Sequence, residues 1–193
     1  MAWSSAVTVA EPTEEPVSIE RVKEFVSIEA DVDEFDALLG SFIEAARGHV
    51  EAVTGTRLVE QTIDLLADEW SDLATLPIAP IMDIVSIGYD DAQGVGQTLD
   101  PDGYELTGAG FERGIRTKVG HGWPLGIRRA AGAIRVRLTV GYRSLPAPIK
   151  AALLLMVSDQ FAFRESGVMG TVTSEMKSSM RVDALLGNFR IWL

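Results

Sequence analysis

The spacing of apolar residues changes character twice along the chain. After Ser18, whose hydroxyl suits a helix N-cap, Ile19, Val22, Phe25 and Val26 recur at helical spacing and predict a short first helix. From about Asp33, the residues Phe35, Leu38, Leu39, Phe42, Ile43, Ala46, Val50 and Val53 form one apolar stripe, and Gly55 suits its stop. Beyond Gly55 the period falls to two. Thr62–Leu66, Ile84–Tyr89 and Ile134–Val140 read as strands, with weaker candidates at 103–107 and 113–119, and the turn chemistry of Asp90 to Gly96 predicts a hairpin. Helical spacing returns after Pro146 and Pro148, where Ile149, Ala152, Leu153, Met156, Val157, Gln160 and Phe161 share a face that Leu154 and Leu155 widen.

The ends of the chain lack such a period. Residues 1–16, with Glu11-Pro-Thr-Glu-Glu-Pro16, carry turn signals and predict a flexible arm, and residues 166–180 are small, polar and dotted with Met, which predicts a mobile loop. Val182–Leu186 could form a helical turn. The expected fold is α+β: a helical domain of long helices from the N- and C-terminal parts, residues 17–56 and 145–193, with an inserted antiparallel β region at 57–144.

An apolar fraction of 47% in 193 residues is enough for a packed core. The absence of cysteine removes disulfides, thiolate metal sites and cysteine nucleophiles, and two histidines cannot assemble a His-rich metal cluster. The longest strongly apolar run, Ala151–Val157, falls far short of the roughly 20 residues of a membrane span, and no secretory signal pattern opens the sequence, so a soluble, intracellular chain is expected. The net charge of -11 opposes general affinity for nucleic acid or anionic membrane, but it hides an asymmetry. Residues 1–55 hold 12 acids against 3 bases and residues 56–110 hold 11 against 1, whereas residues 111–145 hold Glu112 alone against eight cations. Such segregation suits contact between identical subunits, or an anion-facing surface on an acidic protein.

Candidate catalytic groups are few. The stretch Asp31-Val-Asp33-Glu-Phe-Asp36 has calcium-loop acidity, but Phe35 stands where an oxygen ligand is needed, and helix N-terminal acids explain it better. Gly94-Val-Gly96 lacks the lysine and hydroxyl of a phosphate loop, and neither His49 nor His121 has a carboxylate or nucleophile at useful spacing. The many carboxylates leave open a carboxylate-dependent hydrolase, and the β region leaves open a monomeric ligand-binding module. Two features stand out instead. Arg135 and Arg137 share one face of a strand, opposite Ile134, Val136 and Leu138, so they line an exposed face or an interface. Phe189, Ile191, Trp192 and Leu193 place apolar bulk where chains usually fray, either completing a core or anchoring a partner.

The order of short motifs along the whole chain is more specific than any one of them. Glu51-Ala-Val-Thr-Gly-Thr-Arg57 precedes Gln61-Thr62, then Leu76-Pro-Ile-Ala-Pro80, Ile84-Val85-Ser86-Ile87, Trp123-Pro124, Ile134-Arg-Val-Arg137 with Gly141-Tyr142, and Pro146-Ala-Pro-Ile-Lys-Ala-Ala-Leu-Leu-Leu155. Val182-Asp-Ala-Leu-Leu186 and Phe189-Arg-Ile-Trp192 close it. From about residue 17 onward the chain resembles the head-tail connector, or adaptor, proteins of tailed bacteriophages, prophages and gene transfer agents. The resemblance implies a non-enzymatic virion structural protein without cofactors, assembled in the bacterial cytoplasm. Its subunits would form a ring, commonly dodecameric, that docks beneath the portal protein and meets a stopper or tail-completion protein. That ring would extend the channel through which double-stranded DNA passes. It further implies portal docking through Phe189, Arg190, Ile191, Trp192 and Leu193. In such a ring, Arg135 and Arg137 of one subunit would face acids such as Asp33, Asp36 and Glu44 of the next.

Overall fold

A computed structural model describes residues 3–4, 6–163 and 180–191. The expected mobile loop lies outside them except for Met180, which opens a helical stretch over residues 180–186. The described strands are β1 (Val7–Ala10), β2 (Gln61–Ala67), β3 (Ile81–Asp90), β4 (Gly96–Thr98), β5 (Tyr104–Ala109), β6 (Glu112–Thr117) and β7 (Ile134–Val140). The described helices are α1 (Ile19–Phe25), α2 (Asp36–Thr54), α3 (Ala147–Phe163) and α4 over residues 180–186. They fall into two compact units, one of residues up to Thr13 with Glu60–Tyr142, the other of Glu14–Val59 with the chain from Arg143.

This architecture corrects the fold class expected from periodicity. The chain does not form a domain of long N- and C-terminal helices with a β region inserted into it. It is mixed and β-rich, dominated by a five-stranded antiparallel sheet in the order β1-β2-β7-β3-β4, and its four described helices are short, the longest of nineteen residues. The first described element is a strand. β1 lies within the expected flexible arm and adds an edge to β2, with Val7 opposite Asp64. All four of its residues are exposed, so it is held by the backbone ladder and leaves no apolar alternation to detect.

In the β unit, β7 is central and follows the period-two rule: Ile134, Val136, Leu138 and Val140 are buried. They meet Ile63 and Leu65 of β2 in a core that the two-stranded sheet β5-β6 supplies with Tyr104 and Ile115. Strand β3 breaks the alternation twice, with register shifts between Ile81 and Asp83 and between Ile84 and Ser86. The second bulge turns Val85 outward, half exposed, and lets both Ile84 and Ile87 sit opposite core residues of β7. At Gly114 in β6, the backbone carbonyl of Ala74 comes so close that a Cβ would collide with it. Trp70, in the short 3₁₀ helix Trp70–Ala74, stacks on Trp123 at 4.9 Å between ring centroids and donates its indole N–H to the Pro124 carbonyl, 3.1 Å away.

In the helical unit, Ser18 caps α1 as its sequence predicts, accepting the Arg21 N–H. The helix ends in a Schellman pair, Ile28 N–H to the Lys23 carbonyl and Ser27 N–H to that of Glu24, with Ser27 in the left-handed region. α2 begins three residues later than the stripe suggests and stops at Gly55, with φ of 72°. Leu39, Ile43, Ala46 and Val50 of α2, Ile149, Leu153 and Val157 of α3, and Val182 and Leu186 of α4 are buried in this unit. Phe35 meets Phe161 edge to face at 5.4 Å.

Candidate functional site

The charged and apolar residues singled out by the sequence lie on strand β7, on α2 and just before it, and at the C-terminal end of the described chain. Among the described residues no group of three His, Asp or Glu side chains could hold a metal ion, and no helix is long and apolar enough to cross a membrane. His49 and His121 are exposed.

The strand bearing Arg135 and Arg137 runs beside β2, and the antiparallel register sets Arg137 directly opposite Asp64. The Arg137 guanidinium grips both carboxylate oxygens, Nε to Oδ1 at 2.7 Å and Nη2 to Oδ2 at 2.8 Å. Arg135 stands farther off, its Nε 3.9 Å from Asp64 Oδ2. Exposure follows the same division: the side chain of Arg135 is 64% exposed, that of Arg137 38% and that of Asp64 only 13%. The hydrogen-bonded Arg137 guanidinium holds the Asp64 carboxyl below the usual carboxylate range, against the opposing effect of burial, and the Arg137 pKa rises in turn. Periodicity could find the two arginines but not their acid, because Asp64 lies 73 residues from Arg137 and only the strand register joins them.

Asp33 and Asp36 also have a partner in their own chain. Lys23 of α1 is buried, 3% exposed, with Nζ 2.6 Å from Asp36 Oδ1 and 3.4 Å from Asp33 Oδ1. The Asp36 bond, then the Asp33 bond and both charges, raise the lysine pKa despite its burial. The lysine ammonium therefore occupies the place where an acidic loop would hold a cation, and it ties the end of α1 to the start of α2. Glu44 is exposed on α2 with no ion pair among the described residues. Glu51, unremarked in the sequence, is buried on α2: its Oε1 accepts the Leu58 N–H at 2.8 Å, and desolvation raises its pKa above the ordinary value.

The C-terminal residues lie back on the helical unit as far as they are described. Phe189, Arg190 and Ile191 are each half-buried. Arg190 Nη2 pairs with Asp183 Oδ1 at 2.8 Å, the Ile191 N–H donates to the Thr54 carbonyl at 2.8 Å, and the Ile191 side chain packs over Gly55. Trp192 and Leu193 lie outside the described residues.

The chain thus combines a β-rich unit with a unit of short helices drawn from residues 14–59 and the chain from Arg143. No family model matches the chain, and no curated protein matches it. Solved structures do share the fold. A chain in the neck of an empty GTA particle, computed with C6 symmetry, aligns with a TM-score of 0.76 at 22% identity, covering 98% of this chain and 97% of that one. Chains in the virion of a native gene transfer agent (GTA) particle and in the neck of a native GTA particle computed with C12 symmetry align at TM-scores of 0.66 and 0.65, each at 23% identity and 96% of both chains.

Proposed function

We propose that this chain is a structural head-tail connector of a gene transfer agent or phage-like particle, acting in the neck as a ring of identical subunits. The observation that carries the proposal is the likeness in fold to neck chains, which covers 98% of this chain and 97% of that one. The C6 and C12 symmetry of those necks supports a closed ring, in which each subunit presents one surface to the next and a different surface to the previous one. The ring sits beneath the portal, docks to it through the C-terminal residues 189–193, meets the stopper or tail-completion protein on its other side, and continues the DNA channel. A net charge of -11 suits a wall along which DNA slides, because each phosphate neutralised by a cation adds sticking energy. No step of this role makes or breaks a covalent bond.

The test is genetic and structural together. Deleting the gene from the producing strain is expected to leave filled heads and separate tails, with purified wild-type particles containing the chain in multiple copies by quantitative mass spectrometry. Normal joined particles from the deletion strain would overturn the proposal. Docking through the C-terminus is checked separately by Trp192→Ala, which is expected to weaken capture of the portal at least tenfold; unchanged capture would assign docking elsewhere.

A further inference from the structure

We infer that a groove beside Arg135, on the outer face of the five-stranded sheet, receives a carboxylate from a second copy of this chain, while Arg137 serves only to hold the strands together. The inference rests on the neck-ring proposal and assigns one side of its subunit contact. The groove, of about 310 Å³, lies along β7, β3 and β4. Arg135 forms one wall, and Gly88, its direct ladder partner on β3, has no side chain to cover it. The Ser86, Gln97 and Thr98 side chains line it too, together with Asp90 and with Arg137, whose fork is already bound to Asp64, so Arg135 is the one cation of the groove outside a bidentate pair.

Geometry separates the two arginines. Arg137 spends its fork on both oxygens of Asp64, whereas Arg135 stands beyond hydrogen-bond reach of that carboxylate and projects into solvent. Asp90, which also lines the groove, has Arg128 at 3.8 Å, a loose pair like that between Arg135 and Asp64. A second copy is the occupant that charge favours. The chain has 28 acids against 17 bases, and 23 of those acids precede residue 111, so any neighbouring copy presents carboxylates in abundance. A DNA phosphate, by contrast, would have to approach a single presented cation through the field of a protein carrying -11.

The experiment uses the full chain co-expressed with the portal protein of the same particle, with ring yield read by native mass spectrometry and electron microscopy and folding by thermal melting. Arg135→Glu is expected to cut ring yield at least tenfold at low salt and Arg135→Gln to cut it by less, both with melting temperatures near that of the wild type. Arg137→Gln is expected to lower the melting temperature by several degrees. Wild-type ring yield from Arg135→Glu overturns the inference, and so does wild-type ring yield combined with lost DNA retention, which would assign the groove to phosphate. Absence of rings from the wild-type chain with its portal would instead remove the neck-ring proposal, and this inference with it.

Discussion

Two carboxylates, one half-buried and one buried, behave oppositely, and each gives a pH-dependent prediction. Asp64 is held below its ordinary pKa by Arg137, so its contribution to stability is present above the normal carboxylate range and is lost as pH falls through the depressed value. Asp64→Asn is therefore expected to melt several degrees below wild type at pH 7 and to converge with it in strong acid, as followed by thermal melts from pH 7 to pH 2. Glu51 is raised by burial, so its charged form costs stability at neutral pH and that cost disappears on acidification. Glu51→Gln keeps an oxygen acceptor for the Leu58 N–H and removes the buried charge. It is expected to stabilise the chain by about 1 kcal/mol at pH 7, the gain vanishing below the ordinary glutamate pKa of about 4.3 in denaturant titrations. Neither carboxylate was legible in the sequence, because acid residues are abundant and only a fold distinguishes the few that are buried. The two arginines were legible as a pair, and the register then divided them.

At the level of elements, β7 shows how far pattern reading reaches. Its alternation gave the strand, its buried face and its exposed cations, because a central strand with one solvated face keeps strict period two. β3 gave the strand but not its two bulges, since a bulge is a property of the pairing and adds no signature to Ile84-Val85-Ser86-Ile87. β1 was missed: four exposed residues between turn signals have no side-chain pattern, and its strand character comes from the open edge of β2. That edge also turned the expected helical domain with an insertion into a fold led by its sheet. The contact between β6 and the segment after Trp70 gives a sharper test. Gly114→Ala drives a methyl group into the Ala74 carbonyl, which cannot yield without moving the backbone. The substitution is expected to destabilise the chain by about 2 kcal/mol, measured by urea denaturation, whereas Gly122→Ala, with nothing within 4 Å of its added methyl, is expected to be near neutral.

For the whole molecule, charge segregation was visible from counting alone, but which charges are available to a neighbour was not. Asp36 binds the buried Lys23 and Arg137 binds Asp64, so these charges are engaged within the chain, whereas Asp33, 3.4 Å from the same lysine, keeps 83% of its side chain exposed. Arg135 and Glu44 remain presented. An assembly held by such contacts is expected to weaken with salt, its ring fraction falling several-fold between 50 and about 500 mM NaCl as screening shortens the reach of exposed charges to a few ångströms. The C-terminal residues follow the same division, for Arg190 and Ile191 already bind residues of their own helical unit. The measurement that bears most directly on the role of this chain is electron microscopy of the complex purified with its portal. Rings of identical subunits coaxial with the portal, six or twelve to the turn, are predicted; a lone copy bound off the axis, or no association with the portal, would contradict a connector.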